Sequence, residues 1–141
     1  MHEGDSAEVA LAQYVGGATK NTSVKSFAKL LERDHSKGMT QVSSTATKAG
    51  ITPQMPAGDT TSKALSNAMG RMQSLSGNDL DTAFVNYEVA DHQKDIADAK
   101  QMATAAQNAS VKAAVQMELP ELQRHLNAAE KLSSQLAAKN K

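Results

Sequence analysis

The chain contains no cysteine and no tryptophan. The first absence excludes disulfides and thiolate metal sites and is compatible with any compartment. Aromatic residues are few: Tyr14, Phe27, Phe84 and Tyr87 are all there are. Neither sign of charge is in excess, since Lys+Arg and Asp+Glu number 15 each, so no global field draws in nucleic acid or an anionic membrane. No basic cluster is interleaved with aromatics, which argues further against nucleic-acid binding. No apolar run approaches the ~20 residues that a membrane-spanning helix needs. A phosphate-cradling glycine loop and a Gly-x-Ser-x-Gly elbow are both missing, and the abundant serines fall on expected exposed faces. The first residues, Met1 to Ser6, show no signal-peptide pattern. This polar opening is expected to follow a removed signal.

What the chain does have is helical composition. Alanine, serine, glutamine, lysine and leucine dominate, and residues favoured in strands are scarce. A length of 141 residues suits one domain with a single buried core, ordered over about 5–137 with flexible termini. A first helix is expected from about Asp5 to Thr19, with Asp5 or Ser6 as its cap and a stripe of Glu8, Leu11, Val15 and Ala18. Asn21-Thr22-Ser23 breaks the pattern and caps a second helix, Val24 to Ala49, closed by Gly50. Its stripe is Val24, Ala28, Leu31, His35, Met39, Val42, Ala46 and Ala49. Residues 51–60, with Pro53, Pro56 and Gly58, read as a loop.

A short helix is expected over about Ser62 to Leu75. A long one follows Asn78 or Asp79 to about Ala106, with the stripe Val85, Val89, His92, Ile96, Ala99 and Ala103. Asn108-Ala109-Ser110 makes the last break. The final helix, Val111 to about Ala137, has the stripe Val111, Val115, Glu118, Leu122, His125, Ala129, Leu132 and Leu136. Pro120 inside it removes a backbone hydrogen bond and is expected to kink or restart the helix. The expected fold is all-α, a four-helix bundle of long up-down helices with a short accessory helix.

Three of the four histidines, His35, His92 and His125, lie on the apolar stripes of three different helices. Burying an unpaired polar ring costs a few kcal/mol, so each must find partners. The rings can share a metal ion, or each can be satisfied separately by carboxylates or backbone carbonyls. Carboxylates accompany them at helical spacing: Glu8 on the first helix, Glu32 three residues before His35, Glu88 four before His92, and Glu118 and Glu121 before His125. Only Glu32/His35 has the Glu-x-x-His spacing of di-iron bundles, so a histidine-rich site for zinc, iron or copper is at least as natural. The carboxylates then hold the ring tautomers. Glu32, Asp34 and Glu88 taken singly read as solvated or helix-pairing charges. Asp91 and Asp95 near Lys94 and Lys100 read as an exposed salt-bridged face, and the methionines as core filler. His2, beside the chain start, offers at most a weak copper site with the terminal amine.

Phe27-Ala28-Lys29 before Asp34-His35-Ser36, then Tyr87 before His92, then Leu119-Pro120-Glu121-Leu122-x-x-His125-Leu126 occur in this order. Together, over roughly Glu8 to Leu132, they resemble a bacterial exported domain family of unknown function, often labelled outer-membrane protein and related to ferritin-like bundles. The matching positions are Glu8, His35, His92 and His125. The resemblance implies a ferritin-like up-down bundle and an exported, periplasmic location, and it implies no settled activity.

The expected function is therefore binding of a transition metal through His35, His92 and His125 with Glu8 and, further out, Glu32, Glu88 or Glu121. A role in metal handling or oxidative stress would follow. The competing expectation is a structural or protein-interaction bundle whose histidines form a buried hydrogen-bond network. Metal-dependent oxidoreductase activity is not indicated by the sequence. The partners expected are a metal ion, with a homodimer left open, and neither nucleic acid nor a membrane span.

Overall fold

The computed structural model describes residues 2–48, 50 and 60–139, and side chains for most of them. The expected loop with Pro53, Pro56 and Gly58, the stripe position Ala49, and the side chains of Val42, Ala46 and His2 lie outside what is described. Five helices make up the described chain: α1 (His2–Ala18), α2 (Thr22–Lys48), α3 (Thr60–Gln73), α4 (Gly77–Ala105) and α5 (Ala109–Lys139). No strand occurs among the described residues, and no helix is long and apolar enough to cross a membrane. The chain divides into two compact units, Met1–Asp81 and Thr82–Lys141.

In the first unit α1 and α2 form an antiparallel hairpin, and α3 packs on α1. The pairing runs from Asp5 against His35, through Gln13 against Glu32, to Gly16 against Ala28. Leu11, Ala12 and Val15 of α1 and Val24, Phe27, Ala28 and Leu31 of α2 are buried, with Ala68 and Met72 of α3. The turn between the two long helices is closed by local chemistry. Asn21 Oδ1 accepts from the Ser23 N–H at 3.0 Å and the Val24 N–H at 3.4 Å, which satisfies two donors that the helix start leaves open. Past the end of α2, Gly50 takes a left-handed φ of 65° and its N–H donates to the Thr47 carbonyl at 3.1 Å. Glycine adopts that conformation without steric penalty.

In the second unit α4 and α5 form another antiparallel hairpin. Asn86 meets Ser133, His92 meets His125, and Ala99 and Ala103 cluster with Val115, so partners on α5 fall in number as those on α4 rise. Leu119 and Leu122 pack against that alanine-rich cluster. Asn108 caps α5 as Asn21 caps α2, accepting from the N–H groups of Ser110 at 2.8 Å and Val111 at 3.3 Å.

Several expectations are corrected. The first helix begins at His2, so Asp5 lies inside it and is no cap. Ala18 is exposed, and the buried position at the end of α1 is Thr19. Thr19 Oγ1 donates to Asp81 at 2.5 Å and accepts the Asn21 N–H at 3.0 Å. That polar staple depends on residues 62 apart in the chain. α5 continues through Pro120 instead of restarting. Pro120 and Gln116 are exposed, so water can take the carbonyl that the missing N–H leaves behind. The methionines are not uniformly core: Met72 is buried, whereas Met117 is 79% exposed and Met102 also faces solvent. Val111 likewise lies at the surface.

Candidate functional site

Asp5 and Glu8 are three residues apart on α1 and therefore share a face, the one turned toward α2. His35 of α2 is buried between them. Its Nδ1 lies 2.9 Å from Asp5 Oδ1 and its Nε2 lies 2.5 Å from Glu8 Oε2. A ring whose two nitrogens both face carboxylates donates from both, which makes it an imidazolium. Burial works against that charge. The hydrogen bonds to Asp5 and Glu8 and the charges of both carboxylates outweigh it, and the His35 pKa is held at about 10.

Glu32 does not serve His35, because its carboxylate accepts from Gln13 Nε2 at 2.9 Å. Asp34, expected to be solvated, is buried and accepts from Arg33 Nε at 2.7 Å.

The second unit holds a different arrangement. His92 on α4 and His125 on α5 are fully buried, and so is Glu88, expected either as a solvated or helix-pairing charge or as a member of the site. Alanine-lined packing brings the two helices close enough for the rings to meet edge to face, with centroids 5.2 Å apart and planes at 80°. His92 Nδ1 lies 3.0 Å from the Glu88 carbonyl oxygen, which can only accept, so Nδ1 carries the proton. The Glu88 carboxylate stands behind the same nitrogen at 3.4 Å. In neutral His92 the lone pair is therefore on Nε2, and Nε2 points at His125 Nδ1, 3.3 Å away. A buried histidine whose Nδ1 is anchored to an acceptor has its tautomer and ring orientation fixed, as metal-binding histidines in general do.

On α5, Glu121 lies four residues before His125 and places a carboxylate oxygen within 4.8 Å of a His125 ring nitrogen. It also pairs with Arg124 Nη2 at 3.6 Å and is 40% exposed. Glu118, on the same helix, is half-buried.

The acidic face of α4 also differs from expectation. Lys94 bonds Asp98 at 2.6 Å, one turn away. Asp95 is half-buried, and burial first, then the Asp91 charge, pushes its pKa up to about 6.

The unit-by-unit outcome for the expected site is clear. The first unit brings His35 together with Glu8, and the second brings His92 and His125 together with Glu88 and Glu121. Glu32 is engaged elsewhere. Sequence reasoning missed Asp5 as a partner of His35, although its i, i+3 relation to Glu8 was the available signal. It also missed the Thr19–Asp81 pair, for which no local pattern exists.

An all-helical protein with buried histidines, His35 and His92 held by carboxylate or carbonyl acceptors and His125 by the His92 ring, is the class that fold and site define. The sequence pattern of a domain of unknown function, DUF4142, matches residues 1–132, and the chain belongs to that family. Comparison with curated proteins and with solved structures returns no match.

Proposed function

We propose that the protein is an exported, ferritin-like helical-bundle protein that binds a transition metal through its interior histidines and carboxylates, in metal handling or oxidative-stress defence. The proposed donors are His92 and His125 with Glu88 behind them in the second unit, and His35 with Glu8 in the first. Periplasmic location and the ferritin-like type belong to the proposal and rest on the motif resemblance.

The observation that carries the reading is the histidine pair. Two fully buried ring nitrogens stand 3.3 Å apart, with the outer nitrogen of His92 already committed to a carbonyl. An ion between them would replace the shared proton. His125, which donates from Nδ1 in the metal-free pair, would turn that lone pair to the ion and keep its proton on Nε2.

The test is elemental analysis of the protein after anaerobic exposure to zinc, iron or copper and desalting. Near-stoichiometric metal is expected, lost in His92→Ala and retained in Asp91→Ala. Equal retention in both variants would place the metal elsewhere on the surface and defeat the assignment.

One observation favours the second reading, a buried polar network without metal. His35 is satisfied as an imidazolium between two carboxylates, and such a clasp needs no ion. Under that reading chelators leave stability unchanged, whereas a metal-supported fold loses stability when the ion is removed.

A further inference from the structure

We infer that Met117 and Met102 are oxidation sites, where a peroxide converts the thioether to a sulfoxide, and that they consume oxidant which would otherwise reach the buried Met72. This goes beyond the metal reading and needs no bound ion. The chain has no cysteine and no tryptophan, so the sulfur of its methionines is its most readily oxidised side-chain atom.

Methionine is ordinarily an interior residue, yet Met117 is 79% exposed and Met102 43%. Helix geometry explains the first. Val115 belongs to the alanine-rich cluster with α4, and Leu119 and Leu122 pack against it. Met117 lies two residues from both Val115 and Leu119, about 200° round the helix, and so points outward. Ala113, Ala114 and Pro120, one turn away, are too short to cover its sulfur. Met102 stands at the edge of the same packing, next to the buried Ala103. Met72 is the opposite case. It is 1% exposed in the core of the first unit, so an oxidant reaches it only when that unit opens.

The step is an oxygen transfer. The sulfur lone pair attacks one oxygen of a hydroperoxide, and an S–O bond forms as the O–O bond breaks. The proton of the attacked oxygen passes to the departing alkoxide, which leaves as an alcohol, or as water when the oxidant is hydrogen peroxide. Sulfur loses two electrons and the peroxide gains them. A sulfoxide at Met117 adds a polar group on the face away from the α4–α5 packing, whereas one at Met72 would put a polar oxygen into a core. Lacking cysteine, the chain has no thiol to reverse the step, so reversal falls to a separate reductase.

The experiment treats the full chain, freed of metal with a chelator, with limiting hydrogen peroxide and follows each methionine by peptide mass spectrometry. Among these three, Met117 should gain oxygen first and Met102 next, with Met72 slower than Met117 by at least about tenfold. Protein oxidised at Met117 alone should keep the denaturation midpoint of the untreated chain. In the double variant Met102→Leu/Met117→Leu, folded by circular dichroism, the same limiting dose should oxidise Met72 to a greater extent. Oxidation of Met117 no faster than that of Met72, or a lowered midpoint from oxidation at Met117 alone, overturns the site. Unchanged oxidation of Met72 in the double variant overturns the protection.

Discussion

The two hairpins solve the same problem, a histidine inside a helical interface, in opposite ways. In the first unit His35 meets two carboxylates, and the outcome is a shared charge: both ring nitrogens donate and the pKa stands at about 10. In the second unit His92 Nδ1 meets the Glu88 carbonyl, with the Glu88 carboxylate behind it, and Nε2 meets another imidazole. The separations record the difference. The Glu8 oxygen stands 2.5 Å from one His35 nitrogen as an ion-pair contact, whereas the facing nitrogens of His92 and His125 stand 3.3 Å apart. A buried histidine is thus defined chemically by what its second nitrogen faces.

Removing one partner from the first clasp should break the contrast most severely. Glu8→Leu leaves His35 buried with one carboxylate fewer, and loss of one member of a buried ion pair costs about 3 kcal/mol or more. Chemical denaturation should show a correspondingly lower midpoint. A loss below about 1 kcal/mol would mean that the clasp adds little beyond packing.

Titration tests the same charge without changing the backbone. The folded-state pKa of His35, about 10, lies above the ordinary value of 6.5, so the folded protein binds the extra proton more tightly than the unfolded chain. The stabilisation it brings is complete below pH 6.5 and is lost as pH rises toward 10. Metal-free protein should therefore lose stability across that window, and His35→Gln should flatten the slope. Parallel curves for the two proteins would show that His35 is not the source.

The smallest effect sharpens what the hairpins share. Asn21→Ala and Asn108→Ala each remove a side-chain acceptor from two backbone donors and should each cost about 1 kcal/mol. Unequal costs, read from the two denaturation midpoints, would show that the two helix starts do not contribute alike.

Which features were legible follows from the range of the interactions behind them. Asn21, Asn108 and Gly50 act on groups within three residues, so their types and positions were enough. The stripes that put His35, His92 and His125 inside were legible because helical periodicity is local and strong. Asp5 was misread because an aspartate near a helix start is ordinarily a cap, and its partner lies 30 residues away. Glu88 was left between a solvated or helix-pairing charge and a site residue, because a glutamate is rarely buried and only the opposing helix shows that this one is. Pro120 was misread because its cost depends on whether the orphaned carbonyl faces water, which the sequence does not state.

The sequence by itself determined an all-helical chain, its breaks, the inward placement of three histidines and the carboxylates one turn from them. These follow from propensity, capping and a period of 3.6 residues, all of which act within a few positions of the chain. Only tertiary structure decided which atom faces which: Asp5 and Glu8 across His35, His125 opposite Nε2 of His92, Glu88 at its Nδ1 and Glu121 near His125. The protonation state of each ring follows from those meetings, because it is the neighbouring charge and the buried surroundings, not the residue type, that set where a proton resides.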